Sequence, residues 1–235
     1  MARLFVAEGA QVLIHGRNSS AGEALLSELG ESAALHIDDL SDPEAPSRLK
    51  DAAVAALGGI DAVVNNAAVS TRGTIETTSA EFFDKLIATN LRAPMLLVQS
   101  ALGELVKARG VVLNIGSVLA YCGLSNLLAY SISKGGLMTM TRNLALSLSA
   151  RGVRVNQMNV GWTLTPNEVA LQRSQGQAED WLEQLPEVFR PSGGLLLPEE
   201  IAEAALYWIS PASRPITGSV FEAEQYPIIG RIPLS

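Results

Sequence analysis

The chain has 235 residues, of which 48% are hydrophobic, 5% aromatic and 17% charged, with a formal net charge of −7. That is enough for one domain with a large core, and the negative balance argues against nucleic acid or an anionic membrane surface as a partner. A single cysteine, Cys122, excludes an intramolecular disulfide. With no secretory signal and no apolar run long enough for a bilayer, the expectation is a soluble, cytoplasmic protein.

Short apolar runs alternate with longer helix-like segments. "QVLIHG" (11–16) reads as a buried strand, followed by a helix over 20–29. "ALHID" (34–38) is a second strand, and Pro43 is expected to open a helix reaching Leu57. "IDAVVNNA" (60–67) is a third strand running into a polar turn, after which a long helix from Ser79 to Val106 should bend at Pro94. "GVVLNIGS" (110–117) is a fourth strand, "AYSISKGGLMTMTRNLALSLSA" (129–150) a helix, and "VRVNQMNVG" (153–161) a fifth strand. Residues 162–197 are more polar and read as a variable substrate lobe. "PEEIAEAALYWIS" (198–210) is a helix opened by proline, and "GSVFEAE" (218–224) is a last strand. Strands without polar alternation, joined by helices, predict an open, doubly wound α/β parallel sheet in a single domain spanning 1–235.

One constellation carries chemistry. Tyr130 and Lys134 stand four residues apart in a helix and share a face. An ordinary phenol, with a pKa of about 10, is a poor base at neutral pH. A nearby ammonium lowers that value and fits the phenol to exchange a proton with an alcohol or carbonyl oxygen. Ser117 closes the fourth strand, at the end of the sheet where ligands bind in folds of this kind. Its hydroxyl could hold the same oxygen. Tyr-x-x-x-Lys alone is common in helices. Here it is joined by "NNAA" (65–68) after a strand, by Asn90 within an apolar helix, and by Thr163 and Thr165 in "NVGWTLTP" (159–166).

Taken in order, "IDAVVNNAA", "ATNLRAP", "VVLNIGS", "AYSISKGGL" and "VRVNQMNVGWTLTP" resemble the motifs of the short-chain dehydrogenases/reductases, and the resemblance runs to about Glu222. It implies a Rossmann-like sheet and hydride transfer between a nicotinamide cofactor and a carbonyl or secondary-alcohol substrate. By the same resemblance, Ser117 polarises the carbonyl, Tyr130 is the general acid/base, Lys134 binds the nicotinamide ribose and lowers the tyrosine pKa, and Asn90 holds a water in the proton relay. Asn66 and Ala67 line the adenosine side, Asp39 meets the adenine amino group beside Leu40, and Thr163 and Thr165 touch the carboxamide or pyrophosphate region. Family members that prefer NAD usually carry an acidic residue after the "VLIHG" strand. This chain has Gly16, then Arg17 and Asn18, so NADP is favoured over NAD. A homodimer or homotetramer and a small-molecule carbonyl or alcohol substrate complete the expectation, with no metal site.

The sequence departs from the family most at its start. The family's opening strand and glycine-rich turn are not found ahead of "MARLFVAEGA", which resembles the latter part of the helix that follows that turn. The fold expected is therefore N-terminally truncated, either because the sequence starts at an internal methionine of a longer protein or because the chain is a non-catalytic relative. The first is favoured because Asn90, Ser117, Tyr130 and Lys134 are all in place. An epimerase or dehydratase on the same scaffold ranks last for want of a longer C-terminal domain. Ala68 stands for a usual glycine, Val160 for a usual proline, and "EAEQYPIIGRIP" (222–233) for Asp-Gly-Gly. His15 and His36 read as structural, and Cys122 as an inert buried thiol. Gly135 and Gly136 within a helix call for a packing reason. Trp162, Trp181, Leu182 and Leu185 are substrate contacts or lid packing.

Overall fold

In a computed structural model, which describes residues 1–226, the apolar runs become six parallel strands among the described residues. β1 (Val12–Gly16) pairs with β2 (Ala33–Ile37), with Val12 opposite Ala33 and Gly16 opposite Ile37. β3 (Ala62–Asn65), β4 (Val111–Ser117), β5 (Arg154–Val160) and β6 (Val220–Ala223) form a second sheet in that order. Every residue of β4 is buried, which is why its sequence shows no polar alternation.

The helices are α1 (Ala2–Ala7), α2 (Ser19–Leu29), α3 (Ala45–Leu57), α4 (Ala80–Ile87), α5 (Ala93–Ala108), α6 (Leu128–Leu148), α7 (Pro166–Ser174), α8 (Trp181–Gln184) and α9 (Pro198–Ile209). α3 starts two residues later than expected: Pro46, not Pro43, occupies its first turn, where a missing N–H costs nothing. Pro94 does more than bend a helix. It has no N–H to give to the carbonyl four residues back, that of Asn90. The chain widens there into a π turn over Ala88–Arg92, which separates α4 from α5.

The single sheet expected from the strand pattern is divided. β1 and β3 are not hydrogen-bonded to each other, and each has a ladder on one side alone among the described residues. The helix layers nevertheless run across the division: α3 packs on α5 over one face and α1 on α9 over the other. One apolar cluster bridges it too, joining Phe5 and Val12 to Val64, Leu113, Met158 and Ile201. The two half-sheets are therefore held as parts of one core, with the ladder interrupted between them.

Within residues 162–197, Trp162 lies 5.9 Å from Trp181 and 6.2 Å from Phe189 between ring centres, so the two tryptophans pack on each other. Trp162 Nε1 donates to Glu168 Oε1 at 3.0 Å. Leu182 lines a cavity of about 410 Å³ with Leu164, Leu195 and Leu196. No helix among the described residues is long and apolar enough to cross a membrane. Of the divergent C-terminal segment, positions 227–233 lie outside the described residues.

Candidate active site

Parallel strands send the residues that follow them to one end of a sheet. Ser117 is the last residue of β4; Asn66 and Ala67 follow β3, and Thr163 and Thr165 follow β5. Arg17 and Asn18 follow β1, and Asp39 and Leu40 follow β2. Two contacts tie the ends of both half-sheets to the same turn. Arg92 Nη2 donates to the Ser41 carbonyl beyond β2 at 2.6 Å, while the Asn90 side chain is bound to Val69 beyond β3. The sequence-predicted residues thus share one rim.

At its centre, α6 carries Tyr130 and Lys134 under the end of β4. The Ser117 hydroxyl accepts from the Leu119 amide at 3.2 Å and lies near enough to the Tyr130 phenol to favour its ionised form. Lys134 is 3% exposed and donates from Nζ to the Ile115 carbonyl at 2.7 Å. Asn90 is 1% exposed. Its Oδ1 accepts from Val69 N at 2.7 Å, and its Nδ2 donates to Val69 O at 2.9 Å and Ser133 Oγ at 3.1 Å. Both amide hydrogens are used, so the side chain clamps the loop after β3 to the π turn.

The electrostatics correct one expectation. Burial pushes the Tyr130 phenol up from its ordinary value, and only the nearby Ser117 hydroxyl opposes it. Lys134, itself lowered to about 8 by burial, does not bring the phenol down in this structure. Its ammonium points at a backbone carbonyl and stands 5.6 Å from the ring centre. Desolvation of two neighbouring groups outweighs the attraction that the four-residue spacing suggested.

The residues expected on the nucleotide side take structural roles in this structure. Asn18 caps α2, its Oδ1 accepting from Ala21 N at 3.0 Å. Asp39 Oδ1 accepts from Ser41 N at 2.9 Å; this bond chiefly, with the charge of Arg17 adding, holds its carboxyl below the usual range. Leu40 is buried against Ala45, Leu49 and Ala93, so its side chain belongs to the core. Arg17, Asn66 and Ala67 are exposed. Thr163 Oγ1 donates to Gly161 O at 3.2 Å, and Thr165 caps α7 by accepting from Glu168 N at 3.1 Å.

Other readings shift as well. Cys122 is exposed, not buried, because the loop after Ser117 leaves the core. It lines a cavity of about 620 Å³, together with Ile75, Leu119, Tyr121, Leu128 and Ile132. At 100° per residue, Leu128 and Ile132 fall on a different face of α6 from Tyr130 and Lys134. This cavity is therefore not the chemical centre. His15 and His36 are register partners with ring centres 6.4 Å apart, consistent with a structural role. Gly136 has its packing reason: a Cβ there would lie 2.8 Å from Leu91 Cδ2. Among the described residues, no cluster of three or more His, Cys, Asp or Glu could hold a metal.

Sequence reading passed over a buried polar ladder beneath the site. Asn65 Nδ2 donates to Asn114 Oδ1 at 2.8 Å, Asn114 Nδ2 to Thr141 Oγ1 at 2.8 Å, and Thr141 Oγ1 to Gln157 Oε1 at 3.0 Å. Gln157 Nε2 then donates to Asn159 Oδ1 at 2.7 Å. The signal was present, since amides inside otherwise apolar central strands must find partners.

A family model described as enoyl-(acyl carrier protein) reductase matches residues 1–224. A protein of Xanthobacter autotrophicus named "Inactive 2-(S)-hydroxypropyl-CoM dehydrogenase 2" is 32% identical over 95% of this chain and 97% of its own length. Among solved structures, 3-ketoacyl-(acyl-carrier-protein) reductase from Brucella melitensis, complexed with NADH, superimposes with a TM-score of 0.82 at 27% identity, covering 94% of this chain and 89% of that one. A structure described as a short chain dehydrogenase/reductase family protein gives 0.80 at 32% identity over 94% and 88% of the two chains. Strand order, the serine–tyrosine–lysine centre and these likenesses agree: the chain belongs to the short-chain dehydrogenase/reductase family of hydride-transferring oxidoreductases.

Proposed function

We propose that this chain interconverts a small carbonyl compound and its secondary alcohol using NADP(H) in preference to NAD(H), with Tyr130 as general acid/base. The observation that carries the reading is the convergence of Ser117, the last residue of β4, with Tyr130 and buried Lys134 on one face of α6, the lysine Nζ held 2.7 Å from the Ile115 carbonyl. A phenol kept protonated by burial is set to donate to a carbonyl oxygen, and Ser117 can hold that oxygen while the proton moves. Lys134, anchored 2.7 Å from the Ile115 carbonyl, lies on the same face of α6 as the phenol, where it would meet the ribose of a bound nicotinamide nucleotide. Asn90 fixes the loop after β3 against the same centre.

The residues around the rim fit a dinucleotide in part. Arg17 is exposed beyond β1, with a guanidinium suited to a 2′-phosphate and Asp39 close enough to feel its charge. Asn66 and Ala67 are open to solvent where an adenosine would lie, and Lys134 would meet the nicotinamide ribose. Asn18, Leu40, Thr163 and Thr165 support this surface mainly through the backbone, since their side chains cap helices, hydrogen-bond the chain or fill the core. A bound nicotinamide would supply or accept the hydride. Exposed Met95 on α5, and Ile132 and Leu146 on α6, support a homo-oligomer. The composition supports a cytoplasmic location.

A second reading is a non-catalytic nucleotide-fold relative. The name of the Xanthobacter relative, an inactive dehydrogenase 32% identical to this chain, favours it. Fluorescence titration of NADPH and NADH into the chain decides between them. Tighter NADPH binding with ketone-dependent oxidation supports the enzyme. A folded chain that binds neither nucleotide supports the non-catalytic relative.

A further inference from the structure

β6 ends at Ala223, and the two residues after it reach both ends of the 162–197 segment. Glu224 takes the near end. Its Oε2 accepts from the Trp162 amide at 3.1 Å, its Oε1 accepts from the Gln225 amide at 2.7 Å, and a Cβ on Gly161 would collide with the carboxylate. Gln225 takes the far end. Its Nε2 donates to the Gly194 carbonyl at 2.8 Å, and its Oε1 accepts from the Ser192 amide at 3.2 Å and from the Ser192 hydroxyl. Beside them the segment closes on itself: the Leu164 amide donates to Leu196 O at 2.8 Å and the Leu196 amide to Trp162 O at 3.2 Å. Tyr226 adds a ring contact, 6.5 Å from Phe189 between centres, and Phe189 in turn meets Trp162. Three consecutive side chains therefore close one neck. They stand in the stretch where the sequence departs from the family's usual Asp-Gly-Gly, whose glycines have no side chain to offer.

We propose that Gln225 is a positioning residue: working with Glu224, it closes the neck of the 162–197 segment and so presets the loop after β5, with Thr163 and Thr165, for the nucleotide. The inference rests on the function proposed above and adds to it the source of that loop's order. A loop that is loose in the free chain must be ordered on binding, and affinity falls accordingly. Here the ordering is done on folding, by hydrogen bonds to a strand end that the sheet already fixes, since Val160 stands opposite Ala223 in the β5–β6 ladder. Gln225 is the decisive member. Its amide uses donor and acceptor together on two residues of the far end, so flipping the amide would lose both backbone bonds. Ser192 is exposed and Gly194 half-buried, so little packing stands behind the tie. The Trp162 indole bond to Glu168 and the contact with Trp181 lie wholly within the segment and do not fasten it to the sheet.

The test reads the segment against the core and then reads nucleotide binding. The chain carries three tryptophans: Trp162 and Trp181 lie within the segment, whereas Trp208 is in the core. Their nitrogen-15 indole resonances are assigned by single Trp→Phe variants. In Gln225→Gly, the Trp162 and Trp181 resonances are expected to move or broaden while Trp208 stays in place. Amide exchange over 163–196 should rise about tenfold or more, with β4 unchanged. NADPH affinity, followed by fluorescence, should fall roughly 10-fold. Gln225→Met keeps the length of the side chain without its hydrogen bonds and should give the same pattern; it decides alone if Gln225→Gly does not fold. Unchanged segment resonances in both variants, or a shift of all three tryptophans together, overturn the closure by Gln225. A loosened segment with unchanged NADPH affinity overturns the positioning role and leaves the proposed function standing. A parent chain that binds neither nucleotide overturns the proposed function, and the positioning role with it.

Discussion

Lys134 Nζ lies 2.7 Å from the Ile115 carbonyl oxygen, so the ammonium is anchored to the strand two residues before Ser117 and not to the Tyr130 phenol. A charge held this way has lost most of its water and has gained one neutral acceptor in return. Burial accordingly lowers its pKa from 10.5 to about 8. The unfolded chain then binds more protons than the folded one between those two values, and stability must rise with pH across that window. The full difference amounts to about 3 kcal/mol at most. Above pH ~10 the opposite shift at Tyr130 works against it, since a buried phenol keeps its proton longer than a free one. Denaturant midpoints measured from pH 7 to 10 should therefore climb, and in Lys134→Met the climb should disappear. A midpoint that is flat over this range in the parent chain would contradict the buried amine.

Tyr130→Phe removes one oxygen from a partly buried side chain and leaves Lys134 on its carbonyl. If the phenol is the proton donor, turnover should fall by roughly 10²–10⁴-fold, the usual contribution of a positioned acid or base. Nucleotide affinity, read by fluorescence, should change little. Loss of affinity in parallel with loss of turnover would assign Tyr130 to binding instead.

Strand order and the placing of Ser117 at a strand end and of Tyr130 and Lys134 on one helix face were legible in the sequence because they follow from local spacing. Tyr130 and Lys134 share a face by helical period, and Ser117 ends a strand by the apolar run before it. The direction of the Tyr130 shift was not legible, since it depends on how much solvent β4 and α6 exclude together. Nor was the second role of Asn18 and Leu40, where a helix cap and a core contact coincide with the expected cofactor rim. The tie from Gln225 to Ser192 and Gly194 escaped because it joins positions more than thirty residues apart in the chain.

The interrupted ladder makes a prediction of its own. Among the described residues, β4 and β5 are hydrogen-bonded on both sides, whereas β1 pairs only with β2 and β3 only with β4. Amides of β1 and β3 that point into the division should exchange with deuterium orders of magnitude faster than those of β4, since opening them breaks no inter-strand bond. Equal protection of β1, β3 and β4 in site-resolved exchange would show that the two inner edges are paired in solution.

Arg17 tests the nucleotide preference where the structure leaves the least competing explanation. Its guanidinium is exposed, and no ion pair engages it among the described residues; its only resolved effect is to help keep Asp39 ionised. A 2′-phosphate would turn that weakly used charge into a charge-assisted hydrogen bond, worth about 1.5–3 kcal/mol. Arg17→Asp should then weaken NADPH binding by about 10- to 100-fold. NADH binding should be unchanged or improved, because a carboxylate repels the phosphate but accepts from a ribose hydroxyl. Parallel titrations of both nucleotides separate this from general damage. An equal loss for NADPH and NADH would mean that Arg17 merely shapes the loop after β1, and a variant indistinguishable from the parent would place the 2′-position of the ribose elsewhere on the rim.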